Sequence, residues 1–313
     1  MKNTGLLAPH YRDEDAAREH IEKTRWPDGP VCPHCGVVNE ATKLEPREGS
    51  KKGVRKGVWN CNACREQFTV TVGSIFEDSH IPLHKWLLAI HLMASSKKGI
   101  SAHQLMRNLE IGSYRTAWFM AHRIRWALTQ EPIKGALQGV VEIDETYIGP
   151  KVRGKGVKAG KDAKVPVVSL VERGGRARSY QVERVNAREL RPLINEHIHG
   201  WSQVMTDDAS VYPVILKNRV ASHDVVNHSK DEYVRHENGR CITTNSVESF
   251  FAIVKRGHYG VYHHWSKKYM GQYLREYDWR YNVRALPDVE RSVVALKMTV
   301  GKRLVLKPSI GKG

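Results

Sequence analysis

Two pairs of cysteines, each separated by two residues, constrain the fold of this chain more than any other feature of its sequence. The pairs are Cys32-Pro-His-Cys35 and Cys61-Asn-Ala-Cys64. A two-residue gap lets both thiolates of a tight turn bind one ion, and two such turns form a closed tetrahedral zinc site. Two disulfides or a redox pair fit poorly with a reducing compartment and no adjoining βαβ pattern. The spacing predicts a structural Zn²⁺, with Cys241 left over as a buried thiol.

The segment between the two cysteine pairs is basic. Its cations are either solvated or in contact with a phosphate backbone, and we predict DNA contact by Lys51, Lys52, Arg55 and Lys56. Before the first pair, EDAAREHIEKTRWP has the periodicity of a short amphipathic helix. We expect this helix to pack Ile21 and Trp26 against the zinc module.

The charge of the whole chain favours a polyanionic partner. Lys and Arg outnumber Asp and Glu by 50 to 33, a net charge of +17 over 313 residues. Such cations bind nucleic acid by releasing condensed counterions, although ribosomal, heparin-binding and membrane-surface proteins share this balance. No apolar run is long enough to span a bilayer, and the first residues lack the apolar core of a secretion signal. We expect a cytoplasmic protein with two or more domains.

After the zinc module the hydrophobic period changes from that of strands to that of helices. PLHKWLLAIHLMASS, ISAHQLMRNLE and SYRTAWFMAHRIRWALTQ each have one apolar face, and a short turn separates the last two. A generic helical hairpin has the same pattern. The basic surroundings favour a helix-turn-helix, whose second helix would present to DNA the side chains of Tyr114, Arg115, His122 and Arg123.

From about Gly139 the sequence alternates between strand and helix patterns. GVVEIDETYIG, VPVVSLVER and RSYQVERVN predict a three-stranded meander, and the basic stretch 151–164 predicts a loop or an arm on DNA. A helix, ARELRPLINEHI, and two more strands, SQVMTDD and ASHDVVNH, follow. This order resembles an RNase H-like core. The predicted class is α/β, with an RNase H-like mixed sheet flanked by helices and preceded by a zinc ribbon and a helix-turn-helix-like region.

Three carboxylates stand where strand ends and a helix can converge. Asp144 lies in VEIDETYIG, Asp207 follows the strand SQVMT, and Glu248 lies in the helical segment NSVESFFAIVKRG. Mg²⁺ or Mn²⁺ prefers such oxygen ligands, and two ions beside a phosphate can promote an in-line displacement. The three acids predict a two-metal phosphodiester site. A side-chain flip in a strand changes the face, so neighbouring acids compete for these roles, namely Glu142, Glu145 and Asp208.

Several motifs follow one another between about residues 14 and 285, namely RWPDGPVCPHCG, CNACREQFTVTVGSIF, VEIDETYIG, TDD and NSVESFFAIVKRGHYGVYHHWSKKYMGQYLREYDWRYN. In this order they resemble bacterial insertion-sequence transposases that join a zinc ribbon to an RNase H-like DDE domain. The resemblance implies cleavage at element ends, then attack of the freed 3′-hydroxyl on target DNA. It implies that Asp144, Asp207 and Glu248 are the catalytic, Mg²⁺-binding acids. The partners would be double-stranded DNA and a second copy of the chain, as a homodimer on paired ends.

Downstream of Glu248 the sequence predicts further DNA contacts. Lys255 lies two helical turns after Glu248 on the same face, where the resemblance also places a lysine. The aromatic and cationic residues that follow suit stacking on unpaired bases or an ordinary core, and we predict DNA contact by Tyr262 and His264. Asn245 is predicted to cap the helix that carries Glu248.

The expected organisation has four regions. They are an N-terminal helix and zinc ribbon at 1–75, a helical DNA-binding region at 80–132, an RNase H-like DDE domain at 138–290 and a tail at 291–313. We expect a transposase. Two other classes stay open, a zinc-dependent DNA-binding regulator with an inactive nuclease fold and a simple metal-dependent endonuclease.

Overall fold

The computed structural model describes residues 5–45, 55–128, 135–150 and 164–301. The predicted DNA contacts at Lys51 and Lys52, and nearly all of the basic stretch 151–164, lie outside the described residues. The chain divides into two compact units, one formed by 1–96, 102–130 and 286–313 and the other by 97–101 and 131–285. Within the described ranges, no helix is both long and apolar enough to cross a membrane.

The first unit begins with a helix and a small antiparallel sheet. Helix α1 (Glu14–Arg25) starts where the Asp13 carboxylate accepts a hydrogen bond from Ala16 N at 2.7 Å. The sheet has the order β1-β2-β3, with strands β1 (Ala41–Lys43), β2 (Val58–Cys61) and β3 (Gln67–Thr69). The Trp26 ring lies edge-on to Trp59 and Phe68 of this sheet, with centroids 5.9 and 5.7 Å apart. The prediction that Trp26 packs on the zinc module is confirmed.

Three helices follow in the same unit. They are α2 (Leu83–Ser95), α3 (Ala102–Asn108) and α4 (Tyr114–Leu128). The turn between α3 and α4 contains Glu110 in a left-handed conformation with φ of 50°. The predicted helix, turn and helix are therefore present, and α4 buries its apolar stripe in the unit.

The second unit is built on a five-stranded mixed sheet of order β6-β5-β4-β7-β8. The strands are β4 (Val140–Ile148), β5 (Val165–Glu172), β6 (Ala177–Gln181), β7 (Gln203–Thr206) and β8 (Ser222–Val225). The first three pair antiparallel, as the predicted meander requires, while β7 and β8 extend the sheet in parallel. Helices α5 (Ala187–His197) and α6 (Val211–Leu216) connect β6 to β7 and β7 to β8.

Both faces of the sheet are covered. One core contains Val141 and Ile143 of β4 with residues of α5 and α6. After β8 come a hairpin, β9 (Val234–Glu237) and β10 (Arg240–Thr243), then α7 (Asn245–Gly257), a π-helical turn (His258–Tyr262) and α8 (Met270–Asn282). Residues of α7 and α8 form the core on the other face with Ile148, Val167 and Val171. This layered α/β architecture confirms the predicted RNase H-like class, whereas the β9–β10 hairpin was not predicted.

The last helix, α9 (Asp288–Lys297), belongs to the first unit and packs against α2. His91 of α2 joins the two, because its Nδ1 lies 2.8 Å from Ser292 Oγ. This helix crosses the boundary predicted at residue 290. The division into four regions stays a prediction.

Candidate active site and metal centres

The four cysteines of the predicted zinc module form one cluster. All four sulfur atoms lie within 4.8 Å of one another. Cys32 Sγ lies 3.7 Å from Cys64 Sγ, and Cys35 Sγ lies 3.7 Å from Cys61 Sγ. A tetrahedron with Zn–S bonds of about 2.3 Å has sulfur–sulfur edges of about 3.8 Å. The donor set and its spacing therefore fit a structural Zn²⁺.

Strand register brings the first two predicted catalytic acids together. Parallel strands β4 and β7 pair Val140 with Gln203 and Glu142 with Met205. Continuing this register by two residues places Asp207, just beyond β7, beside Asp144 on the same face. Neighbouring strands lie about 4.8 Å apart. Both carboxylates are half-buried.

Helix α7 carries the third acid and is anchored to β4 by a buried carboxylate. Glu142, which is 0% exposed, accepts hydrogen bonds from Ser246 N at 2.7 Å and Val247 N at 3.0 Å. These are backbone donors of the first turn, which no residue of the helix itself can satisfy. The predicted cap, Asn245, is instead the first helical residue, and its role passes to a side chain from the sheet. This anchor brings the start of α7 to the strand that bears Asp144.

The buried charge of Glu142 is balanced by Arg173. The guanidinium lies 2.9 Å from Glu142 Oε1 and also donates to the carbonyl oxygens of Cys241 at 2.8 Å and Thr243 at 3.2 Å. One ion pair thus ties together β4, the end of β10 and the start of α7. Sequence reasoning treated Glu142 only as a competing acid, because nothing in its local pattern indicates a partner about a hundred residues away.

Changing Glu142 to Gln is expected to lower the free energy of unfolding of the protein by about 3–5 kcal/mol. The change leaves Arg173 without its buried counter-charge, and breaking one side of a buried ion pair typically has this effect. Urea denaturation measures it. The exposed Glu183→Gln is the matched control and is expected to have an effect within about 0.5 kcal/mol of zero. Equal effects of the two changes would contradict the anchoring role.

Glu248 sits one turn into α7 with two polar neighbours. Thr244 Oγ1 donates a hydrogen bond to Glu248 Oε1 at 2.7 Å, and His228 Nε2 lies 3.3 Å from the same oxygen. Glu248 keeps 42% of its side chain exposed, so it stays open to a ligand. His228 lies after β8, and sequence reasoning did not single it out.

The charges of Asp207 and Glu248 act on the carboxyl group of Asp144. Burial raises the pKa of Asp144 to about 7, against a backbone hydrogen bond from Glu145 that lowers it, and the charges of Asp207, Glu145 and Glu248 raise it further. Burial also raises the pKa of Asp207, and the adjacent Asp208 adds to this rise. A divalent cation bound beside Asp144 and Asp207 would stabilise the ionised form of both carboxyl groups.

The carboxylates are not drawn together as tightly as the thiols. Among the described residues, the four cysteines are the one group of three or more potential ligands whose ligand atoms all lie within 4.8 Å. Two catalytic ions about 3.5–4 Å apart do not require such a tight cluster. The donors are all oxygens, which fits Mg²⁺ or Mn²⁺ and not a second zinc site.

The competing acids occupy other surroundings. Glu145 accepts a hydrogen bond from the buried Tyr212 hydroxyl of α6, on the opposite face of β4 from Glu142. Asp208 is exposed, and its Oδ2 accepts a hydrogen bond from Ser229 Oγ at 3.1 Å. Each of these two carboxylates is therefore held by another partner, Glu145 by Tyr212 and Asp208 by Ser229.

The predicted DNA contacts fall into two groups. Six of the described side chains are exposed, namely Arg55, Lys56, Tyr114, Arg115, Lys255 and His264. Arg123 is buried in the first unit, where it donates to Glu77 O at 2.7 Å and lies over the Trp86 ring. Tyr262 is half-buried and donates to Glu276 Oε1 at 3.2 Å. Packing and internal hydrogen bonds engage both side chains, and His122 is buried as well. The DNA contacts of these residues stay predictions.

The fold and the site identify an RNase H-like domain preceded by a zinc ribbon. Residues 136–282 match the ISXO2-like transposase domain, and residues 12–67 match the transposase zinc-ribbon domain. A similar curated protein is an uncharacterized protein in transposable element ISH50 of Halobacterium salinarum. It is 27% identical over 300 residues, which cover 90% of this chain and 95% of that protein.

The chain therefore belongs with the insertion-sequence transposases that join a zinc ribbon to a DDE domain, as the sequence motifs predicted. Transposase function and DNA binding follow from that membership at the level of the family.

Proposed function

We propose that this protein binds the ends of an insertion sequence, cleaves DNA strands there and joins the 3′-hydroxyl ends to target DNA by two-metal phosphodiester chemistry. The observation that carries the proposal is the convergence of β4, β7 and α7 on one acidic site. Each element contributes one carboxylate, Asp144, Asp207 and Glu248. Such a site inside a transposase domain needs a DNA substrate, which the charge of +17 also favours.

The three acids have the roles of metal ligands in this proposal. When bound, Mg²⁺ or Mn²⁺ supplies an activated oxygen nucleophile and neutralises charge at the phosphate. Asp144 and Asp207 are held by the sheet, while Glu248 depends on the anchoring of α7 by Glu142. Thr244 fixes the orientation of the Glu248 carboxylate through its hydrogen bond. Asp207 is favoured over Asp208 as a metal ligand because the charge of Asp207 raises the pKa of Asp144.

Positive side chains supply the DNA contacts. Lys255 is exposed on α7, two turns beyond Glu248, where its ammonium can hold a phosphate close to the metal ligands. Arg115 on α4, Arg55 near the zinc ribbon and His264 after the π-helical turn are the other described candidates. Lys51 and Lys52 extend this set from sequence alone. A homodimer would place two such sites on paired element ends.

The acidic site also predicts how the stability of the protein depends on pH without added Mg²⁺. The pKa of Asp144 is higher in the folded protein, about 7, than its ordinary value of 3.8. The folded state therefore binds the proton more tightly, and stability falls as pH rises through this window. The loss attributable to this group is at most about 4 kcal/mol. In Asp144→Asn, which lacks the titrating group, the fall between pH 5 and pH 7.5 is expected to be shallower.

Thermal or urea unfolding at several pH values measures this difference. Since both proteins contain the same cysteines and histidines, the titrations of those residues cancel in the comparison. Saturating Mg²⁺, which binds the ionised site, should remove or reverse the fall in the wild-type profile and should change that of Asp144→Asn much less. Parallel profiles for the two proteins would contradict the assigned electrostatics.

The proposed function is tested with purified protein, labelled DNA from the ends of its element, and Mg²⁺, followed by sequencing of every product junction. A transposase yields 3′-ends joined to new DNA. Cleavage without joined products would identify a simple endonuclease, and binding without cleavage would identify a DNA-binding regulator with an inactive nuclease fold.

A further inference from the structure

We propose that Lys98, Lys255 and Arg256 form a pocket that binds a backbone phosphate of the DNA strand about three nucleotides from the scissile position. The inference rests on the proposed function and deepens it, since it assigns a second phosphate site beyond the acidic cluster. The pocket has a volume of about 540 Å³ and lies at the C-terminal end of α7. Its remaining lining residues are Tyr259, Gly260 and Val261.

All of the charged residues that line this pocket are positive. Three of its six lining residues are cations and none is an acid. Within the part of the chain that the structure describes, Lys98, Lys255 and Arg256 form no ion pair, and all three are exposed. The C-terminus of a helix favours cations in its last turn, which accounts for Lys255 and Arg256. The helix C-terminus does not account for Lys98, which comes from the segment 97–101 and adds to the repulsion among the three cations.

Lys98 is held at this place by close backbone packing. The Tyr277 hydroxyl of α8 donates a hydrogen bond to Lys98 O at 2.6 Å. A Cβ at Gly257, the last residue of α7, would lie 1.5 Å from Tyr277 Oη and 2.8 Å from Lys98 O, so glycine permits this approach. Gly99 has a φ of +97°, and its own Cβ would lie 2.2 Å from Tyr262 Oη. The segment 97–101 therefore docks on α7 and α8 through two glycines.

The Lys98 side chain lines the pocket, whereas the Lys98 carbonyl oxygen accepts the hydrogen bond from Tyr277. Like charges collected at a shaped surface raise the local concentration of anions. Lys255 is seven residues beyond Glu248, which corresponds to about 10 Å along the helix. At about 3.4 Å per nucleotide in one strand, the bound phosphate would lie about three nucleotides from the one held at the acidic site. Tyr259 also lines the pocket, and an aromatic ring there suits stacking on a base of the same strand.

The test compares Lys98→Gln with Lys97→Gln in the full chain. Lys97 is the matched control, because it is exposed, adjacent and absent from the pocket lining. Binding of end DNA without Mg²⁺ is measured over a range of salt concentrations. Lys98→Gln is expected to weaken binding about 3- to 10-fold and to reduce the slope of log K against log salt by about 1, as loss of one phosphate contact does. Lys97→Gln should leave the slope unchanged.

Ethylation interference locates the contact. For wild type, ethylation of individual phosphates blocks binding, and in Lys98→Gln one such position about three nucleotides from the cleavage site should no longer do so. Equal slopes and identical interference patterns for Lys98→Gln and Lys97→Gln would overturn the proposal that this pocket binds a phosphate. Cleavage of the same DNA by wild type with Mg²⁺ is scored separately. A Lys98-dependent contact in a protein that never cleaves would overturn the proposed function and leave the pocket standing.

Discussion

Replacing Asp144 by Asn is expected to reduce Mg²⁺-dependent cleavage of end DNA by about 10³-fold or more while leaving DNA binding intact. A bound metal contributes several kcal/mol of transition-state stabilisation, and each 1.36 kcal/mol is a factor of ten in rate. Asn keeps the shape of the side chain but removes the charge that holds the cation. Asp207→Asn and Glu248→Gln should have effects of the same order, because each removes one ligand of the same site.

The neighbouring acids provide matched controls for this experiment. Asp208→Asn alters an exposed carboxylate directly beside Asp207, and it should retain cleavage within about tenfold of wild type. Single-turnover cleavage and fluorescence anisotropy measure the two activities separately. If Asp208→Asn abolished cleavage and Asp207→Asn did not, the second ligand would be reassigned. If all three changes in the proposed triad left cleavage intact, the catalytic site would lie elsewhere.

Loss of the zinc site is expected to unfold the zinc ribbon. Its sheet has strands of only three or four residues, too little to form a stable core without the metal. Structural zinc sites contribute about 10–16 kcal/mol of binding free energy to modules of this kind. Cys61→Ser should therefore lower the bound zinc from one ion per chain to none. It should also expose Trp26 and Trp59, which pack together only in the folded ribbon.

Cys241→Ser is the matched control for the zinc experiment. This cysteine lies outside the four-sulfur cluster, in the second unit, and its replacement should leave zinc content and tryptophan fluorescence unchanged. Zinc is measured by elemental analysis of the purified protein, and ribbon folding by limited proteolysis. A protein that binds no zinc yet keeps a protected ribbon would contradict the metal-dependent fold.

Local patterns in the sequence were sufficient for the zinc site and for the order of strands and helices. The two-residue cysteine spacing is a local geometric requirement of zinc, and the meander followed by two further strands could be read from β-branched runs. Asp144 was selected for its Asp-Glu-Thr-Tyr context and Asp207 for its place directly after Thr206 at the end of a strand, and both roles stay predictions. The register of β4 and β7 then explains why Asp144 and Asp207 meet.

Long-range contacts are where sequence reasoning failed. The cap of α7 comes from Glu142 on β4, and local capping rules pointed to Asn245 instead. Arg123 has the helical position of a DNA-contacting residue, yet its stem and guanidinium fill space over Trp86. Lys98 reaches its pocket because glycines allow two backbones to approach closely. Such pairings depend on which surfaces meet in three dimensions, and periodicity carries no information about this.

The most direct test of the catalytic site is a crystal of the protein grown with Mn²⁺ and measured at the manganese absorption edge. The account predicts anomalous density within about 2.2 Å of carboxylate oxygens of Asp144, Asp207 and Glu248 together. In a crystal of Asp144→Asn grown under the same conditions, that density should be weaker or absent. Strong manganese density bound instead by Glu145 or Asp208, or none near the three acids at saturating Mn²⁺, would contradict the proposed site.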